Sequence, residues 1–187
     1  MMLIFNLIRI IGILVFMYVF WKSLKDDFPS NDVIWLGWLI VAMFYLGSKL
    51  GCIFVLATIA LYSKRKSWKL ILVLEDGVKA FLLFLFFNYL NELFMSKWIW
   101  EIAIKIFVLI LGYYLTGVLK DKYRSFVWFK SGKKGFVFWA VSAVVLVLFM
   151  INNIIFRNTV ILSYLYGLSS LISVTGLFML GDVWKKK

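Results

Sequence analysis

Residues 135–156, with the sequence GFVFWAVSAVVLVLFMINNIIF, contain no charged side chain and decide the fold class. A helix of this length extends about 33 Å at 1.5 Å per residue, which is enough to cross a hydrocarbon core of about 30 Å. The whole chain of 187 residues is 64% apolar, whereas soluble domains are about 45–50% apolar. The sequence therefore predicts an all-α integral membrane protein.

Five further apolar stretches are long enough to cross a membrane, and no extramembrane domain separates them. We therefore predict a single polytopic membrane domain, residues 1–187, built as a bundle of six transmembrane helices. The predicted spans are approximately 3–21, 33–62, 70–91, 98–119, 135–156 and 159–181. The second stretch is long for one upright helix. Because it carries GSKLG at 47–51, its division into two short helices is a second interpretation.

The charged residues indicate an orientation. Lys and Arg number 21 against 9 Asp and Glu, and most of them lie in 63–69, in 120–134 and at the C-terminal end. Since cytoplasmic loops carry such an excess, we predict a multi-pass protein of the cell inner (plasma) membrane with cytoplasmic N- and C-termini. The basic residues of the longest inner loop are Lys120, Lys122, Arg124, Lys130, Lys133 and Lys134.

The expected partners follow from this orientation. Topology accounts for the net charge of +12, so nucleic acid is not an expected partner. The lipid bilayer and its anionic headgroups are expected to contact the basic inner loops, because Lys and Arg near a membrane surface attract anionic lipid. A protein partner, or a second copy of the chain, is the alternative.

Charged residues inside the predicted spans are the candidate binding site. Lys49, Glu75, Asp76 and Lys79 lie there, and a charged side chain at the bilayer centre costs at least about 2.5–3.5 kcal/mol. We predict that these four residues form an intramembrane polar focus, in which Lys49 faces Asp76 on the next helix. A Lys49 side chain that extends toward the interface beside small residues is the alternative.

For two acid–base pairs inside the predicted spans, an ion pair within one helix is a simpler explanation than a binding site. Glu75 precedes Lys79, and Glu101 precedes Lys105, each by four residues. This is the favourable order for an ion pair on one helix. A purely structural neutralisation is therefore the favoured interpretation for both pairs.

Small residues at short spacings mark faces on which membrane helices approach closely. We predict that these faces pack within the bundle, with a dimer face as the alternative. The predicted packing residues are Gly47, Gly51, Gly112, Thr116, Ser169, Ser173 and Gly176.

Residues suited to catalysis are scarce. The chain has no His and one Cys, which removes the usual general base and the usual metal ligands. It also lacks a nucleotide-binding loop and the common hydrolase motifs. We predict no catalytic residue, metal site or cofactor, and a non-enzymatic transport component that binds or passes a small solute within the bundle. The alternative is a homo-oligomeric sensor, channel-like effector or scaffold.

Overall fold

The computed structural model describes residues 2–46, 51–94, 99–122, 135–156 and 160–180, and all the regular structure in these ranges is α-helical. The prediction of an all-α fold is confirmed. The seven helices are α1 (Met2–Leu24), α2 (Ser30–Leu46), α3 (Gly51–Arg65), α4 (Leu70–Leu93), α5 (Ile99–Lys122), α6 (Phe136–Ile155) and α7 (Val160–Leu180).

The predicted second span is divided into α2 and α3, which form an antiparallel hairpin. The start of α2 meets the end of α3, where the Tyr62 hydroxyl donates to Asp32 Oδ1 at 3.3 Å and Lys66 Nζ lies 2.9 Å from the same oxygen. At the other end, Gly51 lies so close to the Phe44 carbonyl that a Cβ would overlap it. The count of six spans is therefore not confirmed. The reason is that the apolar sequence on both sides of GSKLG at 47–51 can be read as one long span or as two short helices.

Successive helices run between two ends of the bundle. At the first, which we name the basic end, the Phe28 ring lies 4.3 Å from the Trp68 ring, and the Gly135 N–H donates to Glu75. At the second, the distal end, the Tyr45 hydroxyl donates to the amide oxygen of Asn88. Helix α1 begins at the distal end and α7 ends toward the basic end. The prediction that both termini share one side is therefore not confirmed.

Helix α4 lies at the centre of the described bundle. It packs against α1, α3, α5 and α6, and two apolar clusters form on its two sides. One cluster joins α4 to the first three helices around buried side chains such as Phe16, Phe20 and Ile40. The other joins α4 to α5 and α6 around Leu109 and Val141. Glu75, Asp76 and Lys79 therefore lie where α4 packs against other helices, whereas Glu92 near the end of α4 is exposed.

In the described part of the chain, four helices are long and apolar enough to cross a membrane: the segments Asn6–Leu24, Ile99–Lys122, Phe136–Ile155 and Ile161–Met179. Their length and composition indicate a membrane protein. Large apolar side chains on their outer faces, such as Trp100, Phe107 and Leu171, are more than half exposed. Lipid rather than water suits these faces.

Two of the predicted small residues, Gly112 on α5 and Gly176 on α7, lie at close helix contacts. A Cβ on Gly112 would come 2.8 Å from Val145 of α6, and a Cβ on Gly176 would come 2.6 Å from the Trp139 ring. Thr116 is buried and donates to the Gly112 carbonyl at 2.8 Å. These positions favour packing within one chain. Gly47 lies outside the described residues.

Candidate functional site

A cavity of about 410 Å³ lies between the α2–α3 hairpin, α4, and the α6–α7 pair. Val55, Leu56 and Ile59 of α3 form one wall. The floor follows α4 from Leu74 to Leu85, which is about 17 Å along the helix axis. Ligand sites in proteins commonly have volumes of about 300–1,000 Å³, so the cavity is large enough for a small molecule.

The cavity opens sideways, between α3 and α7. Leu56 of α3 and Ile172 of α7 both line it and are still 50% and 54% exposed. These two helices pack on other partners, α3 on α2 and α4, and α7 on α6. The cavity is therefore open toward the outer face of the bundle between these two helices.

The lining is almost entirely apolar. Among the described residues, the side chains with hydroxyl groups in the lining are those of Ser142 on α6 and of Ser169 and Ser173 on α7, and Trp139 contributes an indole ring. Ser173 is buried and donates to the Ser169 carbonyl at 2.9 Å. No charged side chain belongs to the lining in the described part of the chain. Such a surface suits a neutral and largely apolar molecule.

The three described residues of the predicted polar focus lie on α4 beside this cavity, but their side chains contact other parts of the bundle. Glu75 is buried and accepts the N–H of Gly135 at the start of α6. Asp76 Oδ1 lies 3.5 Å from Nζ of Lys120 on α5. Lys79 Nζ lies 5.7 Å from the centre of the Tyr113 ring. These contacts join α4 to α5 and α6.

Lys49 lies outside the described residues, so its pairing with Asp76 stays a prediction. The same holds for a shared binding role of Glu75, Asp76 and Lys79. The contacts observed for these three residues are with α5 and with the start of α6, and none of the three lines the cavity. Within the described residues, no group of three or more acidic or Cys side chains is placed to hold a metal ion.

The link between Glu75 and Gly135 has a clear physical basis. Gly135 has a φ of 114°, a conformation that favours glycine, and it immediately precedes α6. The first N–H groups of a helix have no partner within the helix, and the positive end of the helix dipole favours a nearby anion. Glu75 therefore fixes the start of α6, one of the helices that line the cavity.

A second buried polar group connects the helices at the distal end. The predicted pair of Glu101 and Lys105 is confirmed as an ion pair of 2.5 Å on α5. Asn152 of α6 is buried, and its amide donates to the Glu101 carbonyl at 3.4 Å. The neighbouring Asn153 donates to the Ser163 hydroxyl of α7 at 3.2 Å. These contacts hold α5, α6 and α7 together above the cavity.

The basic end carries exposed cations around Asp32. The hydrogen bond to Asp32 raises the pKa of Lys66 above its ordinary value, so its ammonium group stays charged at physiological pH. In the predicted inner loop, Lys120 and Lys122 are exposed. Its other predicted basic residues, Arg124, Lys130, Lys133 and Lys134, lie outside the described residues.

Sequence reasoning did not find the cavity. An apolar residue of a membrane helix has the same appearance in a sequence whether it faces lipid, another helix or a cavity. Leu56 lines the cavity, whereas Leu61 of the same helix is exposed and does not. One available signal was Ser142, a polar residue in the middle of the uncharged stretch 135–156.

Comparisons with protein-family models, with curated proteins and with solved structures give no significant match to this chain.

Proposed function

We propose that the basic end of the bundle lies on the cytoplasmic side of a plasma membrane. Arg9 and Lys105 are the described basic residues toward the distal end, and Lys79 lies within α4. The other described basic residues lie at the basic end: Lys22, Lys25, Lys64, Arg65, Lys66, Lys69, Lys120 and Lys122. This distribution agrees with the excess of Lys and Arg in cytoplasmic loops.

The hairpin changes the proposed position of the N-terminus. Helices α2 and α3 have 17 and 15 residues and extend about 25 and 22 Å. Because they form an antiparallel hairpin, the chain enters the membrane from the basic end and returns to it. The directions of the other helices between the basic end and the distal end do not depend on how deeply this hairpin enters the bilayer. The start of α1 then lies on the outer side, and the end of α7 lies toward the cytoplasm.

Labelling of single cysteines in intact cells tests this topology. In a Cys52→Ser background, a membrane-impermeant maleimide is expected to label Asn6→Cys from outside and to label Lys122→Cys only after lysis. The background protein without cysteine is the control. Labelling of Asn6→Cys only after lysis would instead support six spans with both termini inside.

We further propose that the protein is a non-enzymatic membrane transport component that binds an apolar small solute within its helix bundle. The observation that carries this proposal is the apolar cavity of about 410 Å³ with a lateral mouth. A solute that partitions into the bilayer can enter between α3 and α7 without crossing water. The polar groups that would bind an ionic solute are absent from the described lining.

Blocking the mouth is expected to prevent binding. Ile172→Trp places a bulky ring at the mouth, whereas Leu171→Trp adds the same ring to an outer face that is 68% exposed. With a hexadecane analogue that carries a diazirine, saturable photolabelling is expected to fall about tenfold in Ile172→Trp, as for a loss of about 1.4 kcal/mol. Leu171→Trp is expected to label as the wild type does. Equal labelling of all three proteins would contradict the proposal.

The exposed cations support a second candidate function, contact with anionic lipid. Lys64, Arg65 and Lys69 are exposed at the basic end, and each such residue contributes about 1 kcal/mol near an anionic surface. Recruitment of a soluble partner or assembly into an oligomer by this surface stays a prediction from the sequence.

A further inference from the structure

We propose that the solute of the cavity is a neutral long-chain molecule with one hydroxyl or carbonyl group, which Ser142 and Ser169 hold by hydrogen bonds. This inference rests on the proposed function, because it names the chemical class that the same cavity takes. It is carried by the positions, the hydrogen bonding and the neutrality of the lining side chains.

The pairing of α6 with α7 brings the serines together. Gly176 lies against Trp139, and Gly167 lies against the sulfur of Met150, so the two helices are antiparallel. Ser142 follows Trp139 by three residues, and Ser173 precedes Gly176 by three, which places these two serines at the same level. Ser169 lies one turn farther toward the distal end. The α6–α7 wall therefore presents its hydroxyl groups in one small area.

Two of these hydroxyls are available to a ligand. Four other hydroxyl groups in the described helices donate to a carbonyl four residues earlier in their own helix, which is a common arrangement in apolar surroundings. They are Thr58, Thr116, Ser173 and Thr175. Within the described ranges, Ser142 and Ser169 have no such partner, and both line the cavity. In a site without water, a hydroxyl without a partner favours a ligand that supplies one.

The charges of the surroundings select a neutral ligand. The α4 residues that line the cavity include Leu74 and Val78, whereas the neighbouring Glu75, Asp76 and Lys79 do not. A carboxylate or phosphate in the cavity would have no cation beside it among the described lining residues, and an unpaired charge in apolar surroundings is strongly unfavourable. A serine hydroxyl both donates and accepts, so an alcohol and a ketone share the required chemistry.

Competition against the diazirine-labelled hexadecane tests the inference. The competitors are hexadecanol, its ketone analogue, hexadecane and hexadecanoate. Each competitor is tested on three proteins: the wild type, the double variant Ser142→Ala with Ser169→Ala, and Thr175→Ala as the control. Hexadecanol or the ketone is expected to compete about 5–10-fold more strongly than hexadecane on the wild type and on Thr175→Ala, as for one net hydrogen bond. The double variant is expected to lose this advantage and still bind hexadecane.

The outcomes separate the inference from the proposed function. The inference is overturned if neither polar competitor exceeds hexadecane, if the advantage survives in the double variant, or if hexadecanoate competes as strongly as hexadecanol. In each of these cases the saturable labelling by the hexadecane probe still supports an apolar solute. Absence of saturable labelling on the wild type overturns both.

Discussion

Gly112→Leu is expected to lower the free energy of unfolding by about 1–3 kcal/mol, the usual cost of overpacking a tight core. A Cβ at this position would come 2.8 Å from Val145 and 3.5 Å from Leu82, so added atoms must separate α5 from α6 and α4. The measurement is an unfolding titration of the purified protein in detergent.

Gly117→Leu is the matched control on the same helix. A Cβ at Gly117 meets only the Lys79 Nζ atom, at 3.9 Å, and that end of a flexible side chain can move. We therefore expect little loss of stability from this variant. If Gly112→Leu were as stable as Gly117→Leu, the packing of α5 against α6 described above would be wrong.

Glu75→Ala is expected to destabilise the protein by about 1–3 kcal/mol, because it leaves the buried Gly135 N–H without its acceptor. Amide hydrogen exchange at the first residues of α6 is expected to increase at the same time, since this link fixes the start of that helix. Unfolding titration and exchange measured by mass spectrometry give the two readouts.

Glu75→Gln separates the hydrogen bond from the charge. The amide oxygen of Gln still accepts from the Gly135 N–H, so this variant is expected to retain more stability than Glu75→Ala. An equal loss in both variants would show that the carboxylate charge, and not the hydrogen bond, stabilises the start of α6. Wild-type stability in Glu75→Ala would contradict the role of the link altogether.

The fold class and several helix bounds follow directly from the pattern of apolar residues. The predicted span 135–156 is found as Phe136–Ile155, and the predicted span 98–119 is found as Ile99–Lys122. Charged residues at the ends of these stretches mark where the apolar sequence stops. These features depend on the local sequence alone, which is why the sequence is sufficient to predict them.

The hairpin was not predicted as the leading interpretation, because its evidence is not local. Asp32 and Lys66 lie 34 positions apart in the sequence and are joined at 2.9 Å. The sequence placed them on opposite sides of the membrane by simple alternation of spans. The GSKLG segment at 47–51 was the available sign of a reversal, but it does not show that the two helices pack against each other.

The candidate site was predicted less completely than the fold, for the same reason. The i,i+4 spacing identified the Glu101–Lys105 pair, which lies within one helix. It gave no indication that Glu75 accepts from Gly135, 60 positions away. The cavity depends on where α3 and α7 do not meet, and no sequence pattern of a single helix contains that information.

The most direct test of the central claim is a residue-level map of the adducts that the diazirine-labelled hexadecane forms on the wild-type protein in lipid nanodiscs. The cavity predicts adducts concentrated on its lining, at Leu56, Ser142 and Ile172, and suppressed by excess unlabelled hexadecane. Adducts spread over outer-face residues such as Phe107 and Leu171, and unaffected by the competitor, would contradict a binding cavity in this bundle.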